Sequence, residues 1–187
     1  MSVAGYLRQL AIYMWATVPV WCVIRVCLLH KKRVNAFHEA GLLVFACFLA
    51  GLAAFTVLPQ NGFLDSLESM MGYTNFVPFK VFGDSLRLAK EGNLRYAAVN
   101  LGGNILMFWP IGFFLPLLWG KRFCNTVRAG FLVSLAIELL QFPQPRWTDI
   151  DDLWLNTLGA ACGYAVFWLF GKLAPRWQKA FLWNAET

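Results

Sequence analysis

Apolar residues run along the chain in five blocks, at 6–29, 39–58, 103–119, 127–142 and 153–171, and most charged residues collect between them. Each block approaches the roughly 20 residues that a helix needs to cross the hydrocarbon of a bilayer. The pattern predicts five spanning helices in one all-α integral membrane domain over 1–187, with a long loop at 59–102. The first block starts with little charge and is followed by no small-residue cleavage pattern, so it reads as a retained helix and not a cleaved signal.

The polar positions inside these blocks fall into stripes. A helix turns about 100° per residue, so positions three and four apart share a face. Asp149, Asp152, Asn156, Gly159 and Gly163 follow that spacing, from acids at the water boundary through an amide to two glycines. Asp151 falls elsewhere around the circle and is expected to face water. Gly130, Ser134, Glu138 and Gln141 make a second stripe, and Asn100 and Asn104 open the third block one turn apart. Glu138, Asn104 and Asn156 are thus predicted to reach a common level from three helices.

An ionisable side chain at that depth costs a few kcal/mol unless it is paired, and marks a functional position by default. Two readings stand side by side. Asparagine and glutamine bond across membrane helices, and the Gly159–Gly163 spacing allows two helices to approach closely. Packing is the better reading for the glycines. For the polar set, with Arg146 at its rim, the spacing also points to a ligand-binding site built from Asn100, Asn104, Glu138, Gln141, Arg146, Asp149, Asp152 and Asn156.

Composition agrees with a membrane protein: 59% of the 187 residues are hydrophobic and only 14% charged, against nearer half and a quarter in soluble domains. The basic excess, 16 Lys and Arg against 10 acids, invites a nucleic-acid reading, but its placement fits the positive-inside rule instead. With the N-terminus outside, Lys31, Lys32, Arg33, Lys121, Arg122, Arg128, Lys172, Arg176 and Lys179 lie on cytoplasmic segments. Arg8, Lys80, Arg87, Lys90, Arg95 and Arg146 are spread over the longer outer ones. A multi-pass plasma-membrane protein with a cytoplasmic C-terminus follows, its polar set facing outward.

The remaining features add less. Cys22, Cys27, Cys47, Cys124 and Cys162 show no CxxC spacing, so they read as buried small hydrophobes and not as a disulfide framework or metal site. His30 and His38 flank a basic run and read as solvated side chains. The tail after Gly171 mixes Trp177, Phe181 and Trp183 with Lys179, the composition of a short interfacial helix. In the outer loop, "GYTNFVPFKVFGDSL" places Asn75, Pro78 and Phe79 in an apolar turn that packs over the mouth of the bundle, as a lid or a plain cap.

The stretches "NFVPF" (75–79), "NLGGNILMFWPIGFFLP" (100–116), "IELLQ" (137–141) and "RWTDIDDLWLNTLGAACGY" (146–164) resemble the VanZ-like family, and in the family's order. The likeness covers 75–164, the VanZ-like core. It implies a multi-helix membrane protein and, through the founding teicoplanin-resistance protein, a part in protection against glycopeptide antibiotics. It implies no known reaction.

The expected activity is non-enzymatic: the polar pocket engages an amphiphile with a charged head, such as a lipopeptide antibiotic or a lipid-linked envelope precursor, with membrane lipids as further partners. Arg146 would meet a phosphate or carboxylate through its planar fork of donors. No cofactor or metal is needed, and nucleic acid is not a partner; ligand identity and oligomeric state stay open. The enzymatic alternative is a carboxylate-based hydrolase or transferase acting on a lipid-linked substrate, with Glu138 as general acid or base and Asp149 or Asp152 orienting a nucleophile or divalent cation.

Overall fold

A computed structural model describes residues 3–29, 35–56, 74–75, 77–141 and 148–182. It is an all-α bundle. The helices are α1 (Val3–Leu29), α2 (Ala36–Thr56), α3 (Lys80–Lys90), α4 (Leu94–Ala97), α5 (Gly103–Trp119), α6 (Phe123–Gln141), α7 (Ile150–Leu173) and α8 (Pro175–Phe181). A π-helical turn, Ala98–Gly102, joins α4 to α5, so Leu94–Trp119 forms one continuous span. Two two-residue strands, β1 (Thr74–Asn75) and β2 (Thr148–Asp149), pair in parallel and tie the segment before α3 to the start of α7.

Four segments are long and apolar enough to cross a bilayer: Ala36–Thr56, Leu94–Trp119, Phe123–Gln141 and Ile150–Leu173. The 27-residue α1 packs along α2, its apolar part being Ala11–Arg25. The chain is a multi-pass membrane protein. Its outer faces carry Trp15, Leu106, Leu139 and Leu158 in exposed positions, as expected where lipid and not water is the surrounding solvent. The same faces carry Cys22, Cys27, Cys124 and Cys162, which are exposed and free. The expectation of buried cysteines fails there because a spanning helix needs no protein cover for its apolar side chains.

A small apolar core joins three helices: Phe45 and Leu52 of α2, Phe108, Ile111 and Leu118 of α5, and Ile137 of α6. Beside it, α5 and α7 run parallel at backbone contact. A Cβ at Gly163 would stand 2.0 Å from the Trp109 carbonyl oxygen, one at Gly159 2.4 Å from that of Ile105, and one at Gly112 1.9 Å from that of Ala160. Only glycine permits that approach.

Against α7, α6 runs antiparallel with a regular register. Gly130 faces Ala160, so that a Cβ there would come within 2.5 Å of the alanine methyl. One turn on, Ser134 accepts from Asn156 at 2.9 Å. One further turn brings Glu138 into the electrostatic range of Asp152.

At the opposite end, α8 folds back onto α2. Asn35 Nδ2 donates to the Ala180 carbonyl (2.6 Å) and His38 Nδ1 lies 2.8 Å from that of Phe181. Phe37 meets Trp177 and Phe181 edge-on. The expected short terminal helix is present, but His38 is 1% exposed and not solvated. The Phe181 carbonyl and the Trp119 ring lie against it. His30 lies outside the described residues.

Candidate functional site

The three aspartates at the start of α7 have three different environments. Asp149 is the N-cap: its Oδ1 accepts the Asp151 amide at 2.9 Å, satisfying one of the free donors at a helix start. The same oxygen accepts from Asn75 Nδ2 at 2.9 Å, while Asn75 Oδ1 takes the Val77 amide at 3.1 Å and forms the turn expected in the outer loop. Pro78 and Phe79 complete that turn, with Phe79 at φ 64° in the left-handed region, where a bulky residue is rare.

Asp151 is fully buried. Its Oδ1 accepts the Phe79 amide (2.6 Å) and Trp154 Nε1 (2.9 Å), and its Oδ2 accepts the Val81 amide (2.8 Å). The side chain therefore caps α3, whose own N-cap residue, Phe79, provides no side-chain acceptor. The expectation that Asp151 faces water fails for a physical reason. Helical spacing correctly places it away from the stripe, but the loop folds back onto that face and brings its amides there. Phe79 and Phe82 also pack their rings on Trp154 at 5.5 and 5.2 Å.

Asp152 turns the other way, accepting from Asn104 Nδ2 of α5. Below it on the same face, Asn156 is 4% exposed and donates to Ser134. Across from Asp152, Glu138 is 8% exposed. The Asp149 backbone amide donates to the Glu138 carboxylate, with Asp152 and Asp149 as its charged neighbours. Two acceptors in this layer, Glu138 Oε2 and Asn156 Oδ1, are buried with no hydrogen-bond partner. Such atoms are rare in folded proteins because each forfeits its solvation without return.

Asn104, Glu138, Asp152 and Asn156 thus lie together, with Asp149 closing the end. Two other candidates do not join them. Gln141 is buried but donates to the Thr56 carbonyl at 2.7 Å, satisfying one of the free carbonyls at the end of α2. Asn100 sits in the π-helical turn and donates to Tyr96 O of its own helix at 2.9 Å. The wide turn breaks the regular period on which a shared face with Asn104 depended. Arg146 lies outside the described residues. Ser134 and Asp151 are the contributors that sequence reasoning undervalued. Ser134 was visible in the α6 stripe; of the partners of Asp151 only Trp154, one turn on, is local, and the two backbone amides are distant in the chain.

Above the layer, α3 is amphipathic, burying Val81 and Ser85 and exposing Phe82 and Leu86. On its polar side Lys80 donates to Asp84 at 2.8 Å, which holds the Asp84 carboxyl below and the Lys80 ammonium above their ordinary ranges. Both groups are solvent-exposed in effect, so the pair orders the surface without adding much stability.

The family model for VanZ/LLP1 matches residues 45–171. That interval begins within α2 and ends near the close of α7, taking in more than the stretch 75–164 that carries the resemblance. No curated protein and no solved structure matches the chain. The chain belongs to the VanZ/LLP1 family.

Proposed function

We propose that this VanZ/LLP1 protein binds an amphiphile with a charged head group at the outer leaflet of the plasma membrane. The observation that carries the reading is the pair of unpartnered acceptors, Glu138 Oε2 about one turn before the end of α6 and Asn156 Oδ1 nearly two turns into α7, buried beside Asp152 and Asn104. Burial without a partner is unfavourable for the free protein and is offset when a ligand supplies donors. The apolar flanks of the spanning helices offer the hydrocarbon tail a continuous path. Arg146, three residues before Asp149 in the chain, would engage a phosphate or carboxylate of the same head group. The outward orientation rests on the basic residues, which cluster beside the segments at the opposite end of the bundle. A lipopeptide antibiotic such as teicoplanin and a lipid-linked envelope precursor both belong to this class, and protection against the former would follow from its capture.

The test is retention. Protein purified in mild detergent with a chelator present is extracted and its lipids identified by mass spectrometry; the wild type should carry an amphiphile that Glu138→Gln and Asp152→Asn lose. Equal retention by all three proteins would remove the site from the explanation. The closeness of two carboxylates, Glu138 and Asp152, also supports a second reading, acid–base hydrolysis or transfer on a lipid-linked substrate. Covalent turnover of the extracted amphiphile, lost in Glu138→Gln, would decide for it.

A further inference from the structure

Resting on that reading, we infer that the part of the head group reaching into the buried layer is a primary ammonium. The two side-chain atoms of this layer with no hydrogen-bond partner at all are both acceptors. Glu138 Oε2 and Asn156 Oδ1 accept nothing, and among the described residues only one oxygen of Asp152 is engaged, by Asn104. The register of α6 on α7 sets these atoms side by side: Ser134 and Asn156 form one rung, and Glu138 and Asp152 form the next. An ammonium carries three donors and no acceptor, enough for the two orphan oxygens and a third bond to the Asp152 carboxylate beside them.

Charge points the same way. Glu138, Asp149 and Asp152 act on one another electrostatically, and no lysine or arginine among the described residues forms an ion pair with any of them, so an ammonium placed among them would favour their ionised forms. A phosphate or carboxylate placed in this layer would add repulsion and bring no hydrogen. A trimethylammonium would bring charge but no donor hydrogen for these oxygens. Ser134 accepts from Asn156, and its own hydroxyl hydrogen is a single neutral donor, which cannot serve three acceptor oxygens or offset the charge of two carboxylates. The anionic portion of a zwitterionic head would remain toward the rim.

The ammonium could belong to a bilayer lipid, as in phosphatidylethanolamine, or to an amphiphile arriving from outside. Binding is measured on the full chain in detergent by tryptophan fluorescence and thermal shift with four probes of one tail: dodecylamine, dodecyltrimethylammonium, dodecanol and dodecyl phosphate. Dodecylamine should bind roughly tenfold or more tightly than the others, and Glu138→Gln should erase the difference. Glu138→Asp keeps a carboxylate and should keep the preference, and Gly83→Ala, on the open face of α3, serves as the control. Phosphatidylethanolamine in the lipid extract identifies the bilayer as the source; its absence, with dodecylamine still preferred, assigns an exogenous amine. Equal binding of the four probes, lost in Asp152→Asn, overturns the ammonium but leaves the amphiphile reading standing. Binding of all four unaffected by Glu138→Gln and Asp152→Asn overturns both.

Discussion

Asp151 of α7 accepts the backbone amide of Val81 at 2.8 Å, so one helix is capped by a carboxylate from another. With the bonds from Phe79 and Trp154, this side chain holds the start of α3 against α7. Asp151→Asn keeps the shape but turns a donor toward an amide that needs an acceptor. It should cost about 1–3 kcal/mol, read as a lowered melting temperature in detergent. Protease should also cut faster within Lys80–Lys90. An unchanged melting curve would return Asp151 to the status of a wet helix end.

The contact of α5 with α7 leaves no room for a methyl group. Gly163→Ala and Gly112→Ala should each destabilise by at least the roughly 1–3 kcal/mol typical of overpacking, because their nearest atoms are backbone and cannot rotate away. Gly83→Ala meets nothing within 4 Å in α3 and should be neutral or stabilising by up to about 1 kcal/mol. Matched effects at the three positions, by thermal unfolding, would contradict the packing.

Removing Asn156 separates glue from site. Asn156→Leu deletes the bond to Ser134 and, at the same stroke, a buried acceptor without a partner. Since losing both partners of a buried polar contact is often nearly neutral, Ser134→Ala with Asn156→Leu should unfold within about 1 kcal/mol of wild type while amphiphile retention falls. Retention at wild-type level in the double variant would leave the asparagine a purely structural part.

Orientation is open to direct labelling. In a cysteine-free background, a cysteine at Glu91, exposed between α3 and α4, should react with an impermeant maleimide on intact cells. A cysteine at Arg176 on α8 should react only after permeabilisation. The reverse pattern would place the carboxylate layer on the cytoplasmic side and exclude capture of an external antibiotic.

The spans were legible because a bilayer imposes one requirement, a long apolar run, and α2, α5, α6 and α7 meet it. The α7 stripe was legible because Asp152, Asn156, Gly159 and Gly163 share a face in any regular helix. What the sequence hid depended on partners distant in the chain or on departures from regularity. Asp151 finds its two backbone donors 70 and 72 residues away. Gln141 meets the end of α2, and the π-helical turn at Ala98–Gly102 withdraws Asn100 from the face that Asn104 presents. His38 is buried by a helix of seven residues at the far end of the sequence, where composition alone indicated an independent anchor.

The latch between α2 and α8 orders assembly in time. Membrane helices emerge from the ribosome one after another, so α2 is in the bilayer long before Ala180 and Phe181 have been synthesised. The bonds from Asn35 and His38 to those carbonyls can form only after α7 has inserted. Until then the start of α2 is held by its hydrophobicity and by the ion pair of Glu39 with Arg25 of α1, and the contacts that complete its anchoring come from a helix made well after it.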